Sequence, residues 1–152
     1  MKVIGMWVFL WVGLYAIPSA NAEGDRNKLN GTWAQQAGTE SNPASLWTFS
    51  PDGDAMHVIQ TDGGKKIADF KCDTKGVGCD VKIAGKKVTL AMWFNGAKLI
   101  QMETSGSDVT ERSFAILSNG DAMEMEIIPI VPSGKKETFE YKRVQLSAQE
   151  KR

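Results

Sequence analysis

Short apolar runs alternate with turn-forming residues along most of the chain. This alternation is clearest between residues 86 and 117, where the strand-like runs 87–94 and 99–104 flank Asn95-Gly96. An Asn-Gly pair between two such runs is a strong hairpin signal, because both residues accept the positive φ angles of a tight turn. The same pattern of apolar runs and turns before and after this stretch predicts a succession of antiparallel strands.

The pattern predicts about ten strands, and no segment has a convincing helical period. The predicted strands are 32–37, 45–50, 55–60, 66–72, 79–83, 87–94, 99–104, 109–117, 122–128 and 136–144. Short connections force neighbouring strands to pair antiparallel, and closure removes the two unpaired edges of an open sheet. We therefore predict an all-β fold, an antiparallel meander of about 8–10 short strands closed into a barrel, with loops at 23–29 and 129–135.

Alternation of side chains indicates which face of a strand is buried. Met123, Met125 and Ile127 alternate with two glutamates, so these three side chains are predicted to face the core. The run 88–94 is apolar on both faces. Trp93, on its second face, is therefore a plug at the barrel end, a partner contact or a ligand contact.

The first 22 residues have the layout of a secretory signal peptide. Lys2 precedes the apolar run 3–17, and Ala20-Asn21-Ala22 is a small-x-small cleavage site. We predict cleavage after Ala22, a barrel domain over 23–145 and a polar tail over 146–152. The apolar run is short for an uncleaved membrane anchor, which needs about 20 residues. The expected location is secreted or periplasmic, with no membrane span after cleavage.

Charge and cysteine content limit the partners and the kinds of site that the chain can have. The chain has 18 basic and 18 acidic residues, and this balance gives no reason to expect nucleic acid or anionic lipid as a partner. Cys72 and Cys79 flank a turn-rich segment, which in an oxidising compartment predicts a disulfide that clasps a hairpin. Two reduced thiols are the alternative, and a metal site would need more ligands.

Catalytic patterns are missing from the sequence. His57 is the only histidine, and no spacing nominates a nucleophile or carboxylate to work with it. Seven of the nine aspartates fall at predicted turns, where their side chains hydrogen-bond to the backbone: Asp52, Asp54, Asp62, Asp73, Asp80, Asp108 and Asp121. There is no phosphate-binding glycine loop and no nucleophile elbow. We therefore expect no enzymatic activity, no metal and no cofactor.

Four segments together resemble a known family. Gly31-Thr32-Trp33 and the segments 47–53, 81–90 and 138–144 occur in the order and spacing of small secreted bacterial lipocalin-like domains of the calycin group. The resemblance implies that Trp33 packs at the closed end of the barrel beneath Arg143. The segment 38–44 is too short for the helical lid of ten-stranded lipid-binding calycins, which argues against a fatty-acid-binding mode.

Polar residues on apolar faces give the best indication of a binding site. Arg112 shares one strand face with Phe114, and if that face is inward its charge needs a partner, either a ligand carboxylate or an internal Asp or Glu. The opposite strand face is the alternative inner one. Met102, Met123 and Met125 either line an adaptable pocket or fill the core. These five residues are the predicted ligand-binding set.

Two functions remain open at this point. The first is a non-enzymatic binding protein for a small apolar or amphipathic ligand, expected to be a monomer. The alternative is an interaction or inhibitor module that meets a protein partner with its outer surface, a hypothesis based on Trp93 and on the neighbouring pair Trp47 and Phe49.

Overall fold

Ten strands and one short helix follow one another in the computed structural model, which describes residues 22–36 and 44–145. The predicted signal peptide up to residue 21, the predicted lid-free loop between 37 and 43 and the predicted tail from 146 lie outside the described residues. The elements are α1 (Ala22–Leu29), β1 (Gly31–Gln35), β2 (Ser45–Asp52), β3 (Ala55–Asp62), β4 (Lys65–Asp73), β5 (Cys79–Ile83), β6 (Lys86–Asn95), β7 (Lys98–Ser105), β8 (Asp108–Ile116), β9 (Ala122–Val131) and β10 (Glu137–Arg143).

The strands form a closed antiparallel barrel in which each strand pairs with the next. β1 completes the wall by pairing with both β2 and β10, so that Trp33 lies opposite Trp47 on one side and Arg143 on the other. Closure gives every strand a neighbour on each side. The predicted all-β meander closed into a barrel is confirmed.

Tight turns with glycine make this meander possible. Gly53 and Gly96 have φ angles of 58° and 60°, in the left-handed region that residues with a side chain rarely adopt. Gly96 follows Asn95 in the hairpin between β6 and β7, as the Asn-Gly signal predicts.

The barrel has two distinct ends because its strands alternate in direction. The closed end is the end that holds α1, the start of β1 and the end of β10. The open end holds the connections β1–β2, β3–β4, β5–β6, β7–β8 and β9–β10.

The segment 23–29 is helical, and the prediction of a loop there was wrong. It lies within α1, whose last residue, Leu29, is fully buried and accepts a hydrogen bond of 3.0 Å from the Trp33 indole nitrogen. Arg26 places its guanidinium 5.5 Å from the centroid of the Phe94 ring. A polar helix of eight residues has little stability alone, so these distant contacts hold it in place.

The predicted loop 129–135 also begins too early, because β9 continues to Val131. Pro129 lies within β9, opposite Thr110 and next to a register shift between Val109 and Thr110. Proline cannot donate to the ladder, but an irregularity of this kind tolerates it.

Aromatic rings fill the middle of the barrel. The Phe114 ring centroid lies 5.0 Å from that of Trp47 and 5.0 Å from that of Phe49, and the Trp47 and Phe49 centroids are 6.0 Å apart. Trp47 and Phe49 are therefore core residues and do not form an outer surface patch. The half of the barrel between these rings and the closed end is packed with apolar side chains, including Leu29, Trp33, Met56, Leu99 and Met123.

The wall has one weak junction, between β4 and β5, which we call the seam. Its ladder consists of the single pair Ala68–Ile83 near the open end. At the closed end, the Cys72–Cys79 disulfide joins the two strands with a Cα–Cα distance of 6.0 Å. The predicted disulfide is thus present, and it spans the seam.

Candidate ligand-binding site

A cavity of about 240 Å³ lies at the open end, above the aromatic rings. Its lining combines apolar and polar side chains: Gln35, Ser45, Trp47, Gln60, Asp62, Arg112, Met125, Ile127, Phe139 and Tyr141. We call it the mouth cavity. At about 30 Å³ for each water-sized group, it holds roughly eight such groups.

Arg112 has an internal partner. Its face of β8 is the inner one, since Phe114 on the same face is fully buried. The Arg112 guanidinium donates to the carboxylate of Glu103 on β7, and both side chains are mostly buried. Of the partners that the sequence left open, the internal glutamate is the one present.

Gln101 is the most unusual polar residue in the barrel. It lies on β7 opposite Arg112, is only 1% exposed, and finds no hydrogen-bond partner for its Nε2 or Oε1 among the described residues. A buried amide left unpaired costs about 1–3 kcal/mol. The Trp47 indole nitrogen is also buried and lacks a partner of standard geometry within the described part of the chain. The Trp47 indole does interact with the Tyr141 hydroxyl, so the unused hydrogen-bonding capacity in this region is that of Gln101.

Tyr141 brings a hydroxyl to the same region. Burial raises the pKa of Tyr141, and the nearby side chains of Ser45 and Trp47 offset part of that rise. The Tyr141 hydroxyl is therefore protonated at neutral pH and able to donate a hydrogen bond within the mouth cavity.

The structure brings together only part of the predicted ligand-binding set. Arg112 and Met125 line the mouth cavity, whereas Phe114 and Met123 are fully buried in the packed interior. Met102 lies on the outer face of β7, on the side opposite to its inward neighbours Gln101 and Glu103. The predicted set omitted Gln101. A signal was present in the sequence, because Gln101 is a polar residue between two apolar ones in a predicted strand.

The predicted structural pair of Trp33 and Arg143 is present at the closed end. The Arg143 guanidinium carbon lies 4.2 Å from the centroid of the Trp33 ring. The guanidinium also donates to the backbone carbonyls of Asn30 at 2.6 Å and Lys28 at 2.9 Å. Position 31 requires glycine because its φ of 127° is rare for residues with a side chain, and a Cβ 2.7 Å from Arg143 Nη1 would also displace the guanidinium. This pair closes the barrel and is remote from the mouth cavity.

The remaining polar clusters lie on the outer wall. His57 Nε2 lies 2.8 Å from Asp69 Oδ1, and each side chain is 40% exposed. The hydrogen bonds from His57 and Lys66 lower the pKa of Asp69. This pair is not part of the mouth cavity. Within residues 22–36 and 44–145, no group of three or more His, Cys, Asp or Glu side chains could hold a metal ion. The same part of the chain has no helix long and apolar enough to cross a membrane.

The strand topology identifies the type of barrel. A ten-stranded antiparallel meander, closed between its first and last strands, is a calycin-type barrel of the kind seen in fatty-acid-binding proteins. The resemblance in the four sequence segments is thereby confirmed at the level of fold.

Comparison with known proteins gives matches in structure only. The sequence matches no protein-family model and no curated protein. A solved structure described as the REP1-NXSQ fatty acid transporter has a TM-score of 0.64 and 19% identity, over 80% of this chain and 99% of that one. A Schistosoma mansoni fatty acid binding protein in complex with arachidonic acid has a TM-score of 0.63 and 18% identity, over 80% of this chain and 100% of that one. A secretory abundant heat soluble protein from Ramazzottius varieornatus has a TM-score of 0.64 and 11% identity, over 77% and 96%. At these identities, the likeness shows a shared fold.

Proposed function

We propose that this protein is a non-enzymatic carrier that binds a small, mostly apolar molecule in its mouth cavity. The observation that carries the proposal is the cavity itself, which has walls formed by Trp47, Met125 and Phe139 and a few polar groups that converge on it. This combination is typical of small-molecule sites. Two of the structural neighbours are described as a fatty acid transporter and a fatty acid binding protein, which supports an apolar ligand.

The size of the cavity limits the ligand. Room for roughly eight water-sized groups is too little to enclose a long acyl chain. The packed rings of Trp47, Phe49 and Phe114 occupy the space below, where a longer chain would have to go. A ligand with about eight to ten non-hydrogen atoms fits this volume.

The charges around the cavity limit the polar part of the ligand. Arg112 is already neutralised by Glu103, so a ligand carboxylate would compete with an internal one. The Asp62 carboxylate also lines the cavity and would repel an anion, whereas Tyr141 supplies a neutral hydrogen-bonding group to the lining. We therefore propose a neutral ligand with one hydroxyl, carbonyl or amide group.

Calorimetric titration with two matched probes tests this function. We expect 1-octanol to bind the mature protein at least tenfold more tightly than octanoate, because octanoate would bring a charge beside a paired Arg112. In the E103Q variant, Arg112 loses its counter-ion and octanoate should gain at least tenfold. M125W should abolish octanol binding by filling the cavity, whereas M102W, on the outer face of the same barrel, should not. Failure of both probes to bind, or equal octanoate affinity in the wild type and E103Q, would contradict the proposal.

We also propose that the protein is exported after cleavage at Ala22. The disulfide between Cys72 and Cys79 supports this, since such bonds persist in oxidising compartments. Intact mass and N-terminal sequencing of protein from the natural host test the proposal. A mature chain that begins at Glu23 outside the cytoplasm is the expected result, and a full-length cytoplasmic chain would contradict it.

A further inference from the structure

Three turns of the barrel repeat one short motif. Gly-Lys-Lys occurs at residues 64–66, 85–87 and 134–136, in the connections β3–β4, β5–β6 and β9–β10. All three connections lie at the open end, because each joins an odd-numbered strand to the next even-numbered one. The motif therefore places three lysine pairs around the mouth cavity. We call this set of six lysines the basic rim.

The basic rim is only weakly neutralised. Among the described residues, the carboxylates at the same strand ends are those of Asp62, Asp108 and Glu137. Lys66 pairs with Asp69 at 2.6 Å and Lys136 pairs with Glu126 at 2.9 Å, both on the outer wall.

The other four rim lysines are exposed and form no ion pair within the described residues: Lys65, Lys86, Lys87 and Lys135. Lysines at the closed end are mostly paired instead, such as Lys71 with Asp52 and Lys75 with Asp54. Most of the lysines without an ion pair among the described residues therefore lie at the open end.

An exposed apolar tip stands beside the rim. β9 ends at the open end with Ile130 at 42% and Val131 at 49% exposure. Pro132 follows them and is also exposed, and the third lysine pair comes three residues later. Apolar side chains next to lysines are the combination found where proteins enter the interface of an anionic bilayer.

We propose that the open end docks on anionic phospholipid membranes. The basic rim contacts the headgroups, and the tip formed by Ile130 and Val131 enters the interface. A soluble polyanion such as nucleic acid would use the lysines but would leave the apolar tip in water, so the membrane is the better match. Docking in this orientation faces the mouth cavity toward the bilayer. The surface itself does not depend on ligand binding in the cavity.

Vesicle sedimentation tests the surface directly. The probes are vesicles of phosphatidylglycerol and phosphatidylcholine in equal parts, compared with pure phosphatidylcholine, at 0.05 M and 0.5 M salt. We expect binding to the anionic vesicles only, and weakening at high salt as charges are screened. Each surface lysine contributes about a fivefold change in affinity. The K86Q/K87Q variant should therefore bind about 25-fold more weakly.

Two matched variants keep the test specific. K98Q/K142Q makes the same change in net charge away from the open end and should bind like the wild type. I130S/V131S should weaken binding several-fold even though the charge is unchanged, whereas L117S, at the closed end, should not. Equal loss in both lysine variants, or no effect of I130S/V131S, would overturn membrane docking. If octanol fails to bind while vesicle binding follows this pattern, the carrier proposal fails and the docking surface stands.

Discussion

Arg143 is predicted to contribute a large share of the stability of the closed end. Its guanidinium stacks over Trp33 at 4.2 Å and donates to the Asn30 and Lys28 carbonyls at 2.6 and 2.9 Å. Longer contacts of 3.3 and 3.4 Å reach the Gly120 carbonyl. One side chain on the last strand thus holds α1, the start of β1 and the β8–β9 turn.

The expected effect follows from these contacts. Hydrogen bonds from a charged donor are worth about 1.5–3 kcal/mol each, and a cation–π contact is worth about 0.5–2 kcal/mol. The Arg143 side chain is partly exposed and its contacts are not additive, so we expect Arg143→Met to lower the free energy of unfolding by about 3 kcal/mol. Arg143→Lys keeps the charge but loses the planar fork, and we expect a loss of about 2 kcal/mol.

Urea unfolding followed by tryptophan fluorescence measures this loss. Lys142→Met is the control, because Lys142 is exposed next to Arg143 and its removal should change stability by less than about 0.5 kcal/mol. If Arg143→Met stays within about 1 kcal/mol of the wild type, the contacts at the closed end do not have the energy assigned to them. Full stability in Arg143→Lys would show that charge alone, without the fork, is sufficient.

Three further predictions concern the rest of the barrel. Replacing Cys72 and Cys79 with Ser should lower the free energy of unfolding by about 2–3 kcal/mol, as expected for a short loop; an unchanged urea midpoint would contradict this. Burial raises the pKa of Tyr141 above 10.0, so folding retains a proton that the unfolded chain releases. Stability should therefore fall as pH rises above 10, and urea titrations from pH 9 to 11 should show a shallower fall in Y141F; identical slopes would refute the assignment. The hydrogen bond from Lys136 lowers the pKa of Glu126 below 4.5, so its contribution is present above that pH and is lost as pH falls through the folded value. The K136Q variant should lose less stability than the wild type between pH 5 and 3, and an equal loss in both proteins would argue against this pair.

The strands and their order could be predicted because their signals are local. Asn95-Gly96 specifies a turn, and the alternation of Met123 and Met125 with glutamates specifies an inner face. Antiparallel pairing then follows from the short connections, and closure follows because an open sheet would leave two unpaired edges. These inferences need only neighbouring residues, and the structure confirms them.

The helix α1 could not be predicted because its stabilising contacts lie far away in sequence. Arg143 binds the Lys28 carbonyl across 115 residues, and Arg26 stacks on Phe94. The segment itself is polar and lacks an apolar periodicity. Its helical state depends on a barrel that must already be closed.

The candidate site could be predicted only in part because β7 carries polar residues on its inner face and a methionine on its outer face. Gln101 and Glu103 face the interior of the barrel, while Met102 faces outward. Met102 was predicted as a site residue because methionines line adaptable pockets or fill cores, and its position on the outer face does neither. The partner of Arg112 depends on the β7–β8 register, which brings Glu103 near it, and no local signal reports that register.

The seam gives the barrel wall a preferred place to open. Separating β4 from β5 requires loss of the single pair Ala68–Ile83, together with the hydrogen bond of 2.8 Å from the Ala84 amide to the Ile67 carbonyl. The disulfide keeps the far ends of the two strands joined while this happens. The two strands would therefore separate from the open end, because the disulfide keeps them joined at the closed end. Separation of this kind would expose the inner face of the wall at the open end without unfolding the barrel.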